Sequence, residues 1–114
     1  GDYRQADEAY EHAHEKAEAP LAEVRYRQGQ CLEKGGDMDG AMARYADAAA
    51  NGPTADPFRI ASLARQAEIA EERGDWAEAL AAWGRIHDAG GKPEWKALAA
   101  ERMEAIRSSG VVGG

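Results

Sequence analysis

The chain has 114 residues and carries 14 Lys and Arg against 21 Asp and Glu, for a net charge of -7. That length suits one domain and excludes a multi-domain enzyme. The acidic balance excludes a nucleic-acid backbone or an anionic membrane surface as partner, since both select a basic footprint, and no apolar run approaches the roughly 20 residues of a spanning helix. Ala supplies 26 residues, whereas Leu, Ile, Val and Phe together supply 13. A core of that composition requires helices that approach closely through Ala, with the aromatics filling the remaining gaps. Cys31 is the single cysteine, so no internal disulfide supports the fold.

In chain order, the first predicted helix spans 2–18 and starts at Asp2, with Gln5 at capping-box spacing. A second follows Pro20 over 20–34, with Val24, Gly29 and Leu32 on one face. Gly35-Gly36 reads as a turn, and Asp37 opens a third helix over 37–50 without a Glu or Gln three residues on. The stretch from Asn51 to Ala55 reads as a loop. Asp56-Pro57 is a cap followed by proline at the first helical position, opening 56–73. Asp75 with Glu78 has capping-box spacing and opens 75–89. After the Gly90-Gly91 turn, Pro93 opens 93–107, with Trp95, Leu98, Ala99, Met103 and Ile106 at helical spacing. Residues 108–114 are expected to be a flexible tail.

Three of these helices begin alike. Gly1-Asp2-Tyr3, Gly36-Asp37-Met38 and Gly74-Asp75-Trp76 are each followed by Ala (Ala6, Ala41, Ala79) and then, four residues on, by an aromatic (Tyr10, Tyr45, Trp83). The starts lie 35 and 38 residues apart. Gly suits a left-handed helix end and Asp caps the next start. The aromatic lies one turn beyond the Ala on the same face.

Paired helices at this period resemble the tetratricopeptide repeat. The matching residues are Gly29, Gly36, Ala41, Tyr45, Ala48 and Pro53 in one repeat. They are Leu63, Ala67, Gly74, Ala79 and Trp83 in the next, then Trp95, Leu98 and Ala99. The resemblance implies an all-α solenoid of about six helices in a right-handed superhelix. Its divisions are a half repeat at 1–19, repeats at 20–53 and 56–90, and a capping helix at 93–107. The opening half repeat lacks its first helix, so the chain is expected to be a fragment of a larger protein. Gln28 and Gln66 stand where the family uses Leu. Ile86 stands where it uses Ala, which is expected to push two helices apart.

Chemistry is sparse. Glu11 and His14 are three apart but lack a second such pair, His12 and His14 do not share a helix face, and His87 stands alone, so no metal or cofactor is expected. Cys31 has no companion for nucleophilic chemistry, no glycine-rich phosphate loop is present, and the Glu68, Glu71, Glu72 run reads as a solvated face. No catalytic activity is expected. Similarity to the family instead implies a concave groove near Tyr26, Arg27, Gln30, Lys34, Arg65, Glu68 and Lys96 that binds a peptide or helix of a partner protein. Its four cations favour a partner segment with acidic residues. The family's Lys-and-Asn clamp for a chain terminus is not reproduced, because Tyr26 and Gln30 take its first places and Ala61 replaces a Lys. The alternative readings are self-assembly through Tyr3 and Tyr10 of the half repeat, or a regulatory part of a larger enzyme or envelope-assembly protein. The Ala- and Arg-rich composition suggests a bacterial source and leaves cytoplasm and periplasm open.

Overall fold

The structure, a computed structural model, describes residues 20–109. Within them five helices follow one another: α1 (Leu21–Lys34), α2 (Met38–Ala49), α3 (Pro57–Glu72), α4 (Trp76–Asp88) and α5 (Pro93–Ser108). Each sequence-based helix from residue 20 onward finds its counterpart. The first, over 2–18, lies outside the described residues. Ser108 closes α5 and Ser109 is its C-cap, so the last helix runs one residue into the expected tail.

Sharp reversals are set by glycine. Gly36 and Gly74 adopt φ of 88° and 76°, where a side chain is strained. At each reversal the next Asp donates its amide five residues back along the chain, Asp37 to the Leu32 carbonyl (2.9 Å) and Asp75 to the Ala70 carbonyl (2.8 Å), which closes the helix end. The caps correct the sequence reading. Asp37 accepts from the Gly40 amide at 2.8 Å, whereas Asp75 makes no side-chain cap bond despite Glu78. A Cβ at position 40 would lie 2.3 Å from Asp37 Oδ2. Glycine there leaves room for the carboxylate to fold closely onto the amide. Asp56 caps α3 as expected, accepting from the Phe58 and Arg59 amides at 2.8 and 3.3 Å.

Consecutive helices pack on one another, and α1 also reaches α3 past α2. The molecule is thus a stack of helical hairpins with α1, α3 and α5 in one layer and α2 and α4 in the other. Its thinnest dimension is 18 Å, about two helix diameters. Ala41, Ala67, Ala79 and Ala99 are fully buried, confirming that Ala sets the close approaches. One core cluster joins Ile60, Leu63, Trp83, Ile86 and Ile106 across α3, α4 and α5. A smaller one joins Ala41, Tyr45 and Ile69.

Several departures from the family pattern acquire a physical reading. Gln28 is fully buried. Arg25 donates to its Oε1 at 2.8 Å and also pairs with Asp47 of α2 at 2.6 Å, so a polar brace replaces an aliphatic contact. Ile86 is buried, yet α5 lies against α4 over as extensive an interface as α3 against α2. Leu98, expected on the packed face of the last helix, is instead 38% exposed. Ala99 and Ile106 are buried, Trp95 and Met103 pack partly against the core, and Leu98 is left at the edge of that stripe.

Candidate functional site

The first-layer helices hold two polar clusters of the same design. In the first, Tyr45 of α2 donates its hydroxyl to Glu33 Oε2 of α1 at 2.7 Å. Arg65 of α3 grips the same carboxylate, Nη2 donating to Oε1 and Nε to Oε2. In the second, Trp83 of α4 donates its indole N–H to Glu71 Oε2 of α3 at 2.8 Å, and Arg102 of α5 grips Glu71 through Nη2 and Nε. Carboxylate and aromatic are 12 residues apart in both cases, and carboxylate and arginine are 32 and 31 apart. Each cluster ties one hairpin to the first helix of the next.

Electrostatics follow from this geometry. Burial pushes the Glu33 carboxyl upward, but the hydrogen bonds from Arg65 and Tyr45, with the Arg65 charge, outweigh it and hold it below the ordinary glutamate range. Burial and the bond to Glu33 push the Tyr45 hydroxyl well above its usual value. Arg65 and Arg102 are held still more firmly protonated by their bonds to Glu33 and Glu71. These groups stay in one charge state through neutral pH, which suits cross-braces rather than acid–base chemistry.

Tyr26, Arg27 and Gln30 come together as expected, joined by Phe58, which sequence reasoning missed. The Tyr26 ring lies 5.9 Å from Tyr45 and 5.8 Å from Phe58. The Arg27 guanidinium sits 5.3 Å from the centre of the Phe58 ring and 5.8 Å from that of Tyr26, within cation–π range. Gln30 donates to the Tyr26 hydroxyl at 3.0 Å and accepts from Arg27 at 3.4 Å. Arg27 has no carboxylate partner among the described residues.

The other expected site residues are placed differently. Arg65 is engaged by Glu33 and by Glu68 at 3.3 Å, so its charge is matched internally. Lys34 is exposed at the end of α1. Lys96 lines a cavity beside the α4–α5 turn with His87, Asp88 and Lys92, apart from the Tyr26 cluster. Glu68 borders a second cavity, of about 420 Å³, whose apolar wall is Ala64, Trp83, Trp95 and Leu98. It lies between α3 and α5, which make no close backbone approach, in contrast to α1 and α3. Glu71, Glu72 and Arg102 complete its lining.

Tyr3, Tyr10, Glu11, His12 and His14 lie outside the described residues. His87 stands 3.0 Å from Asp88, and among the described residues no group of three or more His, Cys, Asp or Glu is placed to hold a metal ion. Cys31 is half-buried. No helix among the described residues is long and apolar enough to cross a membrane.

In comparison with known families, residues 23–54 match the model described as a tetratricopeptide repeat. No curated protein and no solved structure matches the chain.

Proposed function

We propose, from the premise that residues 23–54 form a tetratricopeptide repeat, that the chain is a non-catalytic module whose concave layer binds a peptide or helix of a partner protein. Repeats of this family are generally protein-interaction modules. The observation that carries the reading is the cluster of Arg27 over Phe58 and Tyr26. A guanidinium without a carboxylate partner among the described residues, held over half-buried rings, offers apolar area and a charge-assisted donor at one place. With Lys34 on the same helix, this end of the layer favours acidic residues in the partner segment. Arg65 contributes by bracing the helices, since its own charge is matched by Glu33 and Glu68.

The test is selection from a random peptide library displayed on phage, run against the wild-type chain and against Arg27→Glu with Lys34→Glu. Both positions lie outside the braces, so circular dichroism should be unchanged. Enrichment of Asp- and Glu-containing sequences by the wild type, lost with the double variant, is the expected result. The same sequences from both baits, or none, would overturn the reading.

A further inference from the structure

We infer that the cleft between α3 and α5 receives a partner segment bearing a large apolar side chain flanked by Lys or Arg. The inference rests on the concave layer being a partner surface and adds the chemistry of its other end. The cleft has a volume of about 420 Å³, within the ordinary range for a ligand site. Its wall is apolar, with Trp95 half-buried and Leu98 the exposed large hydrophobic among the described residues. An apolar side chain entering it would cover surface that the fold leaves wet.

Charge decides what accompanies that side chain. Three carboxylates, Glu68, Glu71 and Glu72, face one guanidinium, Arg102. Arg102 is committed to Glu71, whose remaining contact is the Trp83 indole. Glu68 has Arg65 at 3.3 Å, but Arg65 is shared with Glu33. Glu72 is exposed and has no ion pair among the described residues. An apolar hollow is therefore rimmed by an excess of negative charge, with Glu72 unpaired among the described residues and Glu68 sharing Arg65 with Glu33. An acidic segment would be repelled, and an uncharged polar one would leave the hollow unfilled. A basic, apolar segment satisfies both wall and rim.

The experiment uses the full 114-residue chain, isotopically labelled, and follows backbone amides and tryptophan indole N–H signals by two-dimensional NMR. Three capped synthetic peptides are titrated, differing only in their central residues: Lys-Leu-Phe-Lys, Glu-Leu-Phe-Glu and Lys-Ser-Ser-Lys. The first should shift the Trp95 indole and amides around Glu68, Glu72 and Leu98, and bind roughly tenfold tighter than either control at low salt. Glu72→Lys should weaken it by roughly fivefold with helicity unchanged, and Glu72→Gln by less. Arg27→Glu should leave it unaltered.

Equal affinity for the charge-reversed peptide, shifts centred on Tyr26 and Phe58, or no binding at millimolar peptide would overturn the inference. So would cleft shifts that depend on protein concentration without peptide, since the occupant would then be a second copy. Failure of the phage selection with success here would remove the Arg27 reading and leave the cleft standing as a site. The opposite pattern would remove the cleft alone.

Discussion

Across the α1–α3 junction the rings of Tyr26 and Phe58 fill the space beside the Glu33–Arg65 brace, and the two helices pack directly. Across the α3–α5 junction the Glu71–Arg102 brace has the same bonding pattern, but it spans a cleft and Leu98 stays exposed. The brace therefore fixes which helices are neighbours without fixing how closely they sit. Closeness is set by the apolar side chains around it. The interior of the two hairpins differs in a parallel way. Gly29 leaves room for Tyr45, since a Cβ on it would stand 2.5 Å from the ring, whereas Ala67 occupies the corresponding place beside Trp83.

Removing a carboxylate should test this comparison most severely. Glu33→Ala strands a buried hydroxyl and leaves a largely covered guanidinium with Glu68 alone, the Arg65 and Glu33 side chains being 29% and 18% exposed, and should cost about 3 kcal/mol in urea unfolding. Glu71→Ala should cost less, about 2 kcal/mol, because Arg102 is 39% exposed and can turn to water. An equal or reversed order would show that the two braces are not graded by exposure. Next comes Gly29→Ala. Overpacking against the Tyr45 ring should cost about 3 kcal/mol, offset by about 1 kcal/mol of helix propensity. Tyr45 cannot retreat without losing its bond to Glu33, so adding Tyr45→Phe should shrink the penalty in a double-mutant cycle. Additive effects would refute that coupling.

Caps separate the hairpins at a smaller scale. Asp37→Ala should lower stability by about 1 kcal/mol and Asp75→Ala by no more than about 0.5 kcal/mol, as measured by thermal unfolding, because only the former accepts a cap hydrogen bond. The smallest effect lies in acid. Glu33 is held below its ordinary value, so the unfolded chain binds its proton first as pH falls. Its contribution is complete above the unfolded glutamate pKa and drains away as pH drops through the folded one. Glu33→Gln should flatten that part of the stability–pH curve. An unchanged slope would mean that the carboxylate is not depressed.

Much of the scaffold was legible because its signals are local. Glycine before aspartate marked the reversals, and Ala four residues before an aromatic marked the tight helix contacts. The Asp75–Glu78 capping box misled because spacing alone does not fix which way the capping carboxylate turns. The braces were hidden because Glu33 and Arg65 are 32 residues apart and meet only after two reversals, although Glu 12 residues before the repeated aromatic stands in both copies. Of the expected groove, Tyr26, Arg27 and Gln30 come together. The cleft went unread because its Glu68, Glu71 and Glu72 rim, taken from one helix, looks like an ordinary wet face until Trp95 and Leu98 arrive opposite it.

The braces also bear on how the molecule comes apart. Each carboxylate shares a hairpin with its aromatic, but its guanidinium arrives from the helix that follows that hairpin. Melting α5 releases Arg102 and leaves Glu71 buried beside Trp83 without its countercharge, which in turn weakens the seat of α4. In a stack coupled only between nearest neighbours, such shared charges raise the boundary energy relative to that of each unit. Partly frayed species are thereby disfavoured, and amide exchange in α4 is tied to the opening of α5.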